Sequence, residues 1–584
     1  MKPASNMFKL NPLIFAAALV AMLIASINAQ AQSTETPDTA VQRNRIRDEA
    51  AERERQQQAP RVDLQGKELK PGEMLALPEE IPCFKIDQFL LEVPPQLPAK
   101  TRALAASSSA FDRFRFAQNH LEKYSGRCIG RAGVGLLLKG LTDQIISKGY
   151  TTTRLGIPEQ DMSAGTLKLT LIPGLIHQIR FADAETSGRF NAFPSSPGDL
   201  FNLRDFEHGL EEMKRVTSQD VDMQIVPAGG LGESDIVVTV KRGKSWRIVA
   251  NLDDTGAKGT GKLQAGLTLA WDNPLNANDL FTIGATSDGE NNIAAKGTQG
   301  NSTSYSIPFG YWTLSLSANE FKYHQRVEGV NQTFISSGTA QNTESKISYL
   351  FHRNQEQKNT LQLRTGKRWS RSYIDNTEVK VQYRNTTFAE LALLHKHYLG
   401  QSQLDVTLAY RWGVPWLDGQ RDPDNLPATS PRLNYQLATI DTTLSTPFKL
   451  WDKPLNYTAT FRAQNANSSL YASEWFSIGS RWTVRGFDGE STLGAEQGYY
   501  LRNEIGIPIT GTTQSVYAGV DYGKVFGPNV PNLIGDHLAG VVLGMRGSLL
   551  KGMNYDIFAG TSLYKPAGFR TDEPAAGFSL NYQI

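Results

Sequence analysis

The stretch "KLQAGLTLAW", Lys262 to Trp271, decides the fold. Leu263, Ala265, Leu267, Leu269 and Trp271 alternate with Gln264, Gly266, Thr268 and Ala270. An extended backbone sends alternate side chains to opposite faces, so one face here is apolar and the other small or polar. "WTLSLSAN" (312–319) repeats the pattern, with Trp312, Leu314, Leu316 and Ala318 against Thr313, Ser315, Ser317 and Asn319. "QLDVTLAYRW" (403–412) and "LNYTATFRAQ" (455–464) do the same. Runs of roughly ten residues that are apolar on one side and polar on the other are the mark of a strand between lipid and a wet lumen. A soluble sandwich shows shorter strands with the polar face turned to water. Trp246, Trp271, Tyr305 and Trp312 near strand ends fit the aromatic girdles of a membrane barrel.

The pattern holds from 244 to 584 and yields about sixteen strands, an even number as bacterial barrels require. Their expected starts lie near 246, 262, 280, 303, 312, 346, 360, 378, 403, 432, 455, 498, 514, 538, 553 and 575. The gap at 466–497 is long for a loop and therefore expected to be functional. It holds "RWTVRGFDGE" (481–490), which neither alternates nor repeats.

Ahead of the barrel the chain changes character several times. Residues 1–31 read as a signal peptide: Lys2 and Lys9, an apolar run from Pro12 to Ile27, then Ala29-Gln30-Ala31 as a cleavage site. No later run reaches the ~18 apolar residues of a spanning helix. Residues 33–58 read as a helix that Thr36 caps and Pro37 begins, yet "RNRIRDEAAERERQQQ" is polar on every face. Such a helix suits a solvated tail or a water-filled cavity, not an apolar core. Residues 59–78 read as a linker. Two small α/β units follow, at 79–174 and 175–243. Each has a helix with periodic apolar residues (Leu137, Leu141, Ile145; Leu203, Phe206, Leu210, Met213) and strands such as "TLKLTLI" (166–172), and Cys83 to Leu91 reads as one further strand of the first unit.

Charge and cysteines bound the function. Lys plus Arg is 60 and Asp plus Glu 58, and removing Lys2 and Lys9 leaves the mature chain balanced. That gives no electrostatic argument for nucleic acid. Cys83 and Cys128 are the only cysteines, and an even count in an exported chain points to a disulfide rather than a metal site. "GAKGTGKL" (256–263) has phosphate-loop spacing but ends in Leu263 and leads into a strand pattern, so a hairpin turn is expected. No catalytic constellation, cofactor or metal site is expected, and the chain does not read as an enzyme.

These residues carry a resemblance. A signal, a polar helix, a linker, two POTRA-like units and a sixteen-strand barrel resemble the outer-membrane transporters of two-partner secretion, the TpsB family. Val484-Arg485-Gly486-Phe487 matches that family's V-R-G-[FY] motif on a long loop folded into the lumen. Gly519-Val520-Asp521-Tyr522-Gly523 matches its barrel-wall motif, and "WDNPL" (271–275) resembles a recurrent hairpin. The resemblance implies that Arg485 is held by Asp521 across the lumen, where a guanidinium fork suits a carboxylate. It implies that Gly519 and Gly523 flank the acid, Gly486 permits the bend and Phe487 gives the tip an apolar foot.

By the same resemblance the periplasmic units capture a partner exoprotein of the TpsA type as an added strand. The partner crosses unfolded without ATP and folds outside, most readily into a β-helix. The cargo classes are adhesins, haemolysins and contact-dependent growth-inhibition toxins, the last preferred. The other partners implied are outer-membrane lipid and the barrel-assembly machinery. An assembly insertase of the same superfamily shares the loop. It commonly has five POTRA units and no polar plug helix, so two units and residues 33–58 favour secretion. A soluble β-rich exported protein is the remaining alternative. One departure stands out: such barrels usually end in an aromatic residue, whereas this chain ends in Ile584 behind Tyr582.

Overall fold

A computed structural model describes residues 36–64, 75–105, 112–186, 188–290, 295–328, 332–427 and 429–584. The signal peptide expected at 1–31 and the middle of the expected linker lie outside the described residues. Helix α1 runs Pro37–Gln58. Thr36 and Thr39 form a reciprocal capping box, the Thr36 hydroxyl accepting from Thr39 N and the Thr39 hydroxyl from Thr36 N. Asp38 in the first turn and Arg55 in the last complement the helix dipole.

The first α/β unit contains β1 (Phe84–Ile86), β2 (Gln88–Glu92), α2 (Ala99–Leu104), α3 (Arg115–Glu122) and β3 (Arg127–Ile129). It continues with α4 (Arg131–Ser147), β4 (Arg154–Gly156) and β5 (Thr166–Ile172). The sheet order is β2-β5-β4, and Leu167, Leu169 and Leu171 bury one face against Leu137, Leu141 and Ile145 of α4. The single strand expected over Cys83–Leu91 breaks at Asp87. Its first part pairs with β3 in a separate ribbon, Lys85 opposite Cys128. Cys83 and Cys128 are disulfide-bonded at that ribbon, Cα to Cα 5.4 Å.

The second unit holds β6 (Leu175–Phe181), α5 (Leu203–Lys214), β7 (Gln219–Pro227) and β8 (Glu233–Arg242). Its sheet order is β6-β8-β7, which leaves β7 at an edge. Phe206, Leu210 and Met213 of α5 pack on Val221, Ile236 and Val238, and the linker's Val62 joins that core.

The barrel strands are β9 (Trp246–Asp253), β10 (Gln264–Asp272), β11 (Leu280–Asp288), β12 (Lys296–Phe309), β13 (Trp312–Glu328) and β14 (Thr333–Arg353). Then come β15 (Gln357–Ile374), a two-residue ribbon β16 (Thr377–Glu378), β17 (Arg384–Leu399), β18 (Ser402–Val414), β19 (Gln436–Leu450) and β20 (Lys453–Ala466). Two short strands, β21 (Phe476–Ile478) and β22 (Leu493–Ala495), lie within the long loop. The wall ends with β23 (Gln497–Pro508), β24 (Ser515–Phe526), β25 (His537–Leu550), β26 (Met553–Tyr564) and β27 (Ala575–Gln583). All pairings are antiparallel, and β27 closes on β9. Without the ribbon, sixteen strands form the wall.

The opening stretch behaves as its alternation requires. Leu267, Leu269 and Trp271 are 55%, 40% and 50% exposed on the outer face, while Gln264 and Ala270 are buried within. Three strand starts differ from expectation by more than four residues. The fourth begins at Lys296 rather than 303, the sixth at Thr333 rather than 346, and the eighth at Arg384 rather than 378. Around "TFISSGTAQNTE" (333–344) both faces are polar. β14 has 21 residues, about twice what a bilayer needs, and beyond the lipid nothing selects an apolar face. The eighth start is displaced by the β16 ribbon and a 3₁₀ turn at Lys380–Gln382.

Candidate functional site: the loop folded into the barrel

The segment between β20 and β23 folds back into the lumen and carries its own apolar core. Phe476 and Ile478 of β21 pair with Ala495 and Leu493 of β22. Val484 and Phe487 pack with them and with Tyr500, Val525, Leu538 and Phe569. Phe487 meets Phe569 edge-on, ring centroids 5.6 Å apart. Fully burying a side chain of that size is worth about 2–3 kcal/mol, so the apolar foot holds the tip in place before any charge is counted.

Arg485 stands on that foot. Its Nε donates to Asp521 Oδ2 at 2.7 Å and its Nη2 to Asp521 Oδ1 at 2.9 Å, a bidentate fork. Its backbone N–H donates to the same Asp521 Oδ2 at 2.9 Å. Nη1 reaches Glu504 Oε2 on β23, and Nη2 reaches the Asn503 carbonyl at 3.3 Å. Glu504 is shared with Arg546 at 2.6 Å, and Arg502 Nε lies 3.9 Å from Asp521. The Asp521 side chain has no exposure and that of Arg485 only 6%. Three arginines thus surround two carboxylates, Arg485 and Asp521 deeply buried and Arg546 at the exposed edge.

Glycines on the wall make the approach possible. A Cβ on Gly519 would stand 2.4 Å from Arg485 Nη2, and one on Gly540 would stand 2.0 Å from the Arg485 carbonyl oxygen. Gly523 leaves room for Val484. Gly486 has φ 98°, and a side chain there would strike the Thr561 carbonyl at 2.5 Å. The two motif segments therefore meet: Arg485 and Val484 lie against Gly519, Asp521 and Gly523, while Val520 and Tyr522 are exposed on the outer face.

The sequence reading missed Glu474. This loop residue accepts from Arg45 of α1 (2.8 Å), from Arg411 of β18 (3.1 Å) and from Arg368 of β15. Arg45 and Gln42 also donate to the Trp475 carbonyl, at 2.7 and 3.1 Å. Farther along α1, Glu49 pairs with Arg462 of β20 (2.8 Å), Glu52 with Lys346 of β14 (2.8 Å) and Arg53 with Asp441 of β19 (3.2 Å). Lys396 of β17 donates to the Gln56 carbonyl at 2.6 Å. Partners on so many wall strands put the polar helix in the lumen, against the loop at its N-terminal end. A charge run gave no sign of which acid meets which base.

The linker is fastened as well. Val62 N donates to Glu211 and Leu64 N to Glu207, both on α5, at 2.8 and 3.0 Å. Arg353, at the β14–β15 hairpin, pairs with both acids and donates to the Val62 carbonyl. His208 donates Nε2–H to the Gly310 carbonyl at 2.9 Å and stacks on Tyr311. The second α/β unit is thereby seated on the barrel's periplasmic turns.

Comparison with known proteins finds relatives over most of the chain. Residues 232–547 match the family described as haemolysin secretion/activation protein ShlB/FhaC/HecB. Residues 105–174 match a POTRA domain of ShlB type, and 175–227 a POTRA domain. The chain is 43% identical to the outer membrane transporter CdiB-2 of Burkholderia pseudomallei (strain 1026b), over 96% of this chain and 98% of that one. It is 27% identical to the hemolysin transporter protein ShlB of Serratia marcescens, over 68% and 71% of the two chains. The solved CdiB from Acinetobacter baumannii superposes with a TM-score of 0.80 at 26% identity, covering 94% of this chain and all of that one.

Proposed function

Because this chain belongs to the haemolysin secretion/activation family ShlB/FhaC/HecB, we propose that it takes a partner exoprotein from the periplasm by strand addition and passes it unfolded through its own barrel. It is an outer-membrane transporter of the two-partner type and not an enzyme, with its POTRA domains in the periplasm. The finer reading concerns capture, route and cargo.

The observation that carries the route is the chemistry of α1. The helix is held in the lumen by ion pairs and hydrogen bonds to the wall and loop. Water replaces such contacts at small net cost, so α1 acts as a plug that can leave. β7 supports the capture step. It is a nine-residue edge strand with Ile225 and Val226 exposed, and an edge offers unpaired backbone groups to an incoming strand. Passage needs no ATP in this reading; folding of the cargo outside biases the direction. The cargo is a large β-helical exoprotein of the contact-dependent growth-inhibition class. Greater identity with CdiB-2 than with the hemolysin transporter supports that class.

One experiment tests capture and route separately. A growth-inhibition exoprotein is fused to a stably folded C-terminal domain so that it stalls in transit. Photocrosslinking residues replace Gln224 on β7 or the inward-facing Thr443 on β19. Both positions are expected to crosslink to stalled cargo. No adduct from β7 would refute strand addition there, and none from Thr443 would refute the route through the lumen. Equal export of a haemolysin-type exoprotein would refute the cargo assignment.

A further inference from the structure

The barrel closes where it is least paired. β9 and β27 share five registered pairs, Val249↔Gln583 to Asp253↔Ser579, extended by mutual backbone bonds of Ile248 and Ile584. Neighbouring joints are longer: β9–β10 and β26–β27 each register eight pairs, and β13–β14 seventeen. A five-pair ladder carries few hydrogen bonds for the length of wall it must seal.

The folded-in loop crosses this joint at two points. Arg481 Nη2 donates to the Asp254 carboxylate, just beyond β9, and to its carbonyl at 3.2 Å, while Nη1 donates to the Phe578 carbonyl of β27 at 3.3 Å. Asp254 also accepts from Phe578 N at 2.9 Å, so the guanidinium caps a link already spanning the two strands. The guanidinium lies over the Phe558 ring, and a Cβ on Gly577 would stand 2.4 Å from Arg481 Nη2. β27 therefore has a glycine where the arginine needs space.

Asp488 makes the second crossing. Its carboxylate accepts from Lys258 Nζ in the β9–β10 turn at 3.3 Å, and from Asp572 N in the β26–β27 loop at 3.2 Å. Its own N–H donates to Thr571 Oγ1 at 3.0 Å. Lys258 adds an ion pair to Asp572 at 2.8 Å, and its N–H donates to Glu490. The Asp488 side chain is 4% exposed. The turn with phosphate-loop spacing thus supplies a lysine to a carboxylate of this chain.

We propose that Arg481 and Asp488 are positioning residues that clasp the β9–β27 seam, so that seating of the loop and closure of the barrel are one coupled state. Both residues lie on the strip that carries Arg485. A displaced tip withdraws both from the seam, and the barrel then parts at its weakest joint while the rest of the wall stays paired. The use of this coupling in transport rests on the function proposed above; the coupling itself is measurable without cargo.

The test is hydrogen–deuterium exchange on the full-length protein in detergent micelles. In Arg481→Ala/Asp488→Ala, peptides spanning 248–254 and 577–584 are expected to exchange at least about tenfold faster, while those from β13 and β14 keep their rate. Arg481→Lys keeps the charge but loses the fork, and is expected to fall between. Seam exchange within about twofold of the parent would overturn the proposal, as would an equal acceleration over every wall strand. If the double variant does not assemble, Arg481→Lys and Asp488→Asn singly give the same discrimination. Loss of secretion with unchanged seam exchange would refute the clasp and leave the transport reading intact.

Discussion

Truncating Arg485 to alanine removes the bidentate fork on Asp521, the contact with Glu504 and the bond to the Asn503 carbonyl. Asp521 then stays buried, but not alone. The backbone N–H of residue 485 still donates to it, and Arg502 stands 3.9 Å away. Breaking a buried pair from one side costs about 3–5 kcal/mol, and these remaining partners argue for the lower end. A loss of about 3 kcal/mol shifts the docked-to-undocked ratio of the loop by roughly two orders of magnitude. The apolar foot of Val484 and Phe487 is untouched, so the loop docks weakly rather than not at all. Docking is read from Thr483→Cys, a position 3% exposed in the seated loop. Its maleimide labelling rate in intact outer membranes follows the undocked population and is expected to rise about a hundredfold in Arg485→Ala. Barrel assembly, seen as heat-modifiable gel mobility, is expected to survive while secretion fails. Asp521→Ala is expected to act likewise, and the double variant to be no worse than the worse single one because both remove one contact. A labelling rate within about twofold of the parent, or full secretion by Arg485→Ala, would refute the reasoning. Additive losses would assign the two residues separate jobs.

Deleting residues 33–58 is expected to raise single-channel conductance in planar bilayers with the barrel still inserted; unchanged conductance would show that α1 does not block the pore. The Cys83–Cys128 bridge, 45 residues apart in sequence, is expected to stabilise its unit by about 3–4 kcal/mol in the chain-entropy view. Reductant should therefore lower the melting temperature of the first POTRA domain, and free thiols in unreduced, denatured protein would refute the bridge. Burial, with help from Arg353, holds the His208 imidazole below its ordinary value of 6.5, against the opposing charges of Glu212 and Glu211. Because the docked group has the lowered pKa, its contribution is complete above that ordinary value and is lost as pH falls through the lowered one. Exchange at the 310–312 turn, corrected for intrinsic rates, should accelerate on acidification, and His208→Gln should remove the step.

Much of this molecule was legible because lipid and backbone impose simple rules. Leu267, Leu269 and Trp271 had to face one way, and each further strand repeated that constraint. Where the constraint ends, as at Thr333–Glu344 beyond the bilayer, the boundary was misjudged. The short V-R-G-F stretch stood out because an arginine followed by a tight turn has no place in an alternating wall. What stayed hidden was pairing over distance. Glu474 and Arg45 are 429 residues apart, and Arg481 and Asp254 are 227 apart. One-dimensional pattern carries no record of such meetings. The split of Cys83–Leu91 into two strands was hidden for a related reason, since the ribbon partner β3 comes from a segment 43 residues on.

The charges of α1 alternate in sign at a spacing of one turn: Arg45, Glu49 and Arg53 meet Glu474, Arg462 and Asp441 in that order. Four residues are about 6 Å of axial rise and a little more than a full revolution, so a slip of that size returns almost the same face to the wall. Displaced by that step toward the periplasm, Arg45 would face Arg462, Glu49 would face Asp441, and Val41 would stand before Glu474. Those three rungs would then be repulsive or empty, and only Asp48, arriving before Lys346 in place of Glu52, would find an opposite charge. The ladder therefore works as a vernier with one matched setting and a mismatched one beside it. Withdrawal has no gradual beginning. The helix is either home or already past its barrier, and a force on the linker has to cross that first turn before water can take over the released charges.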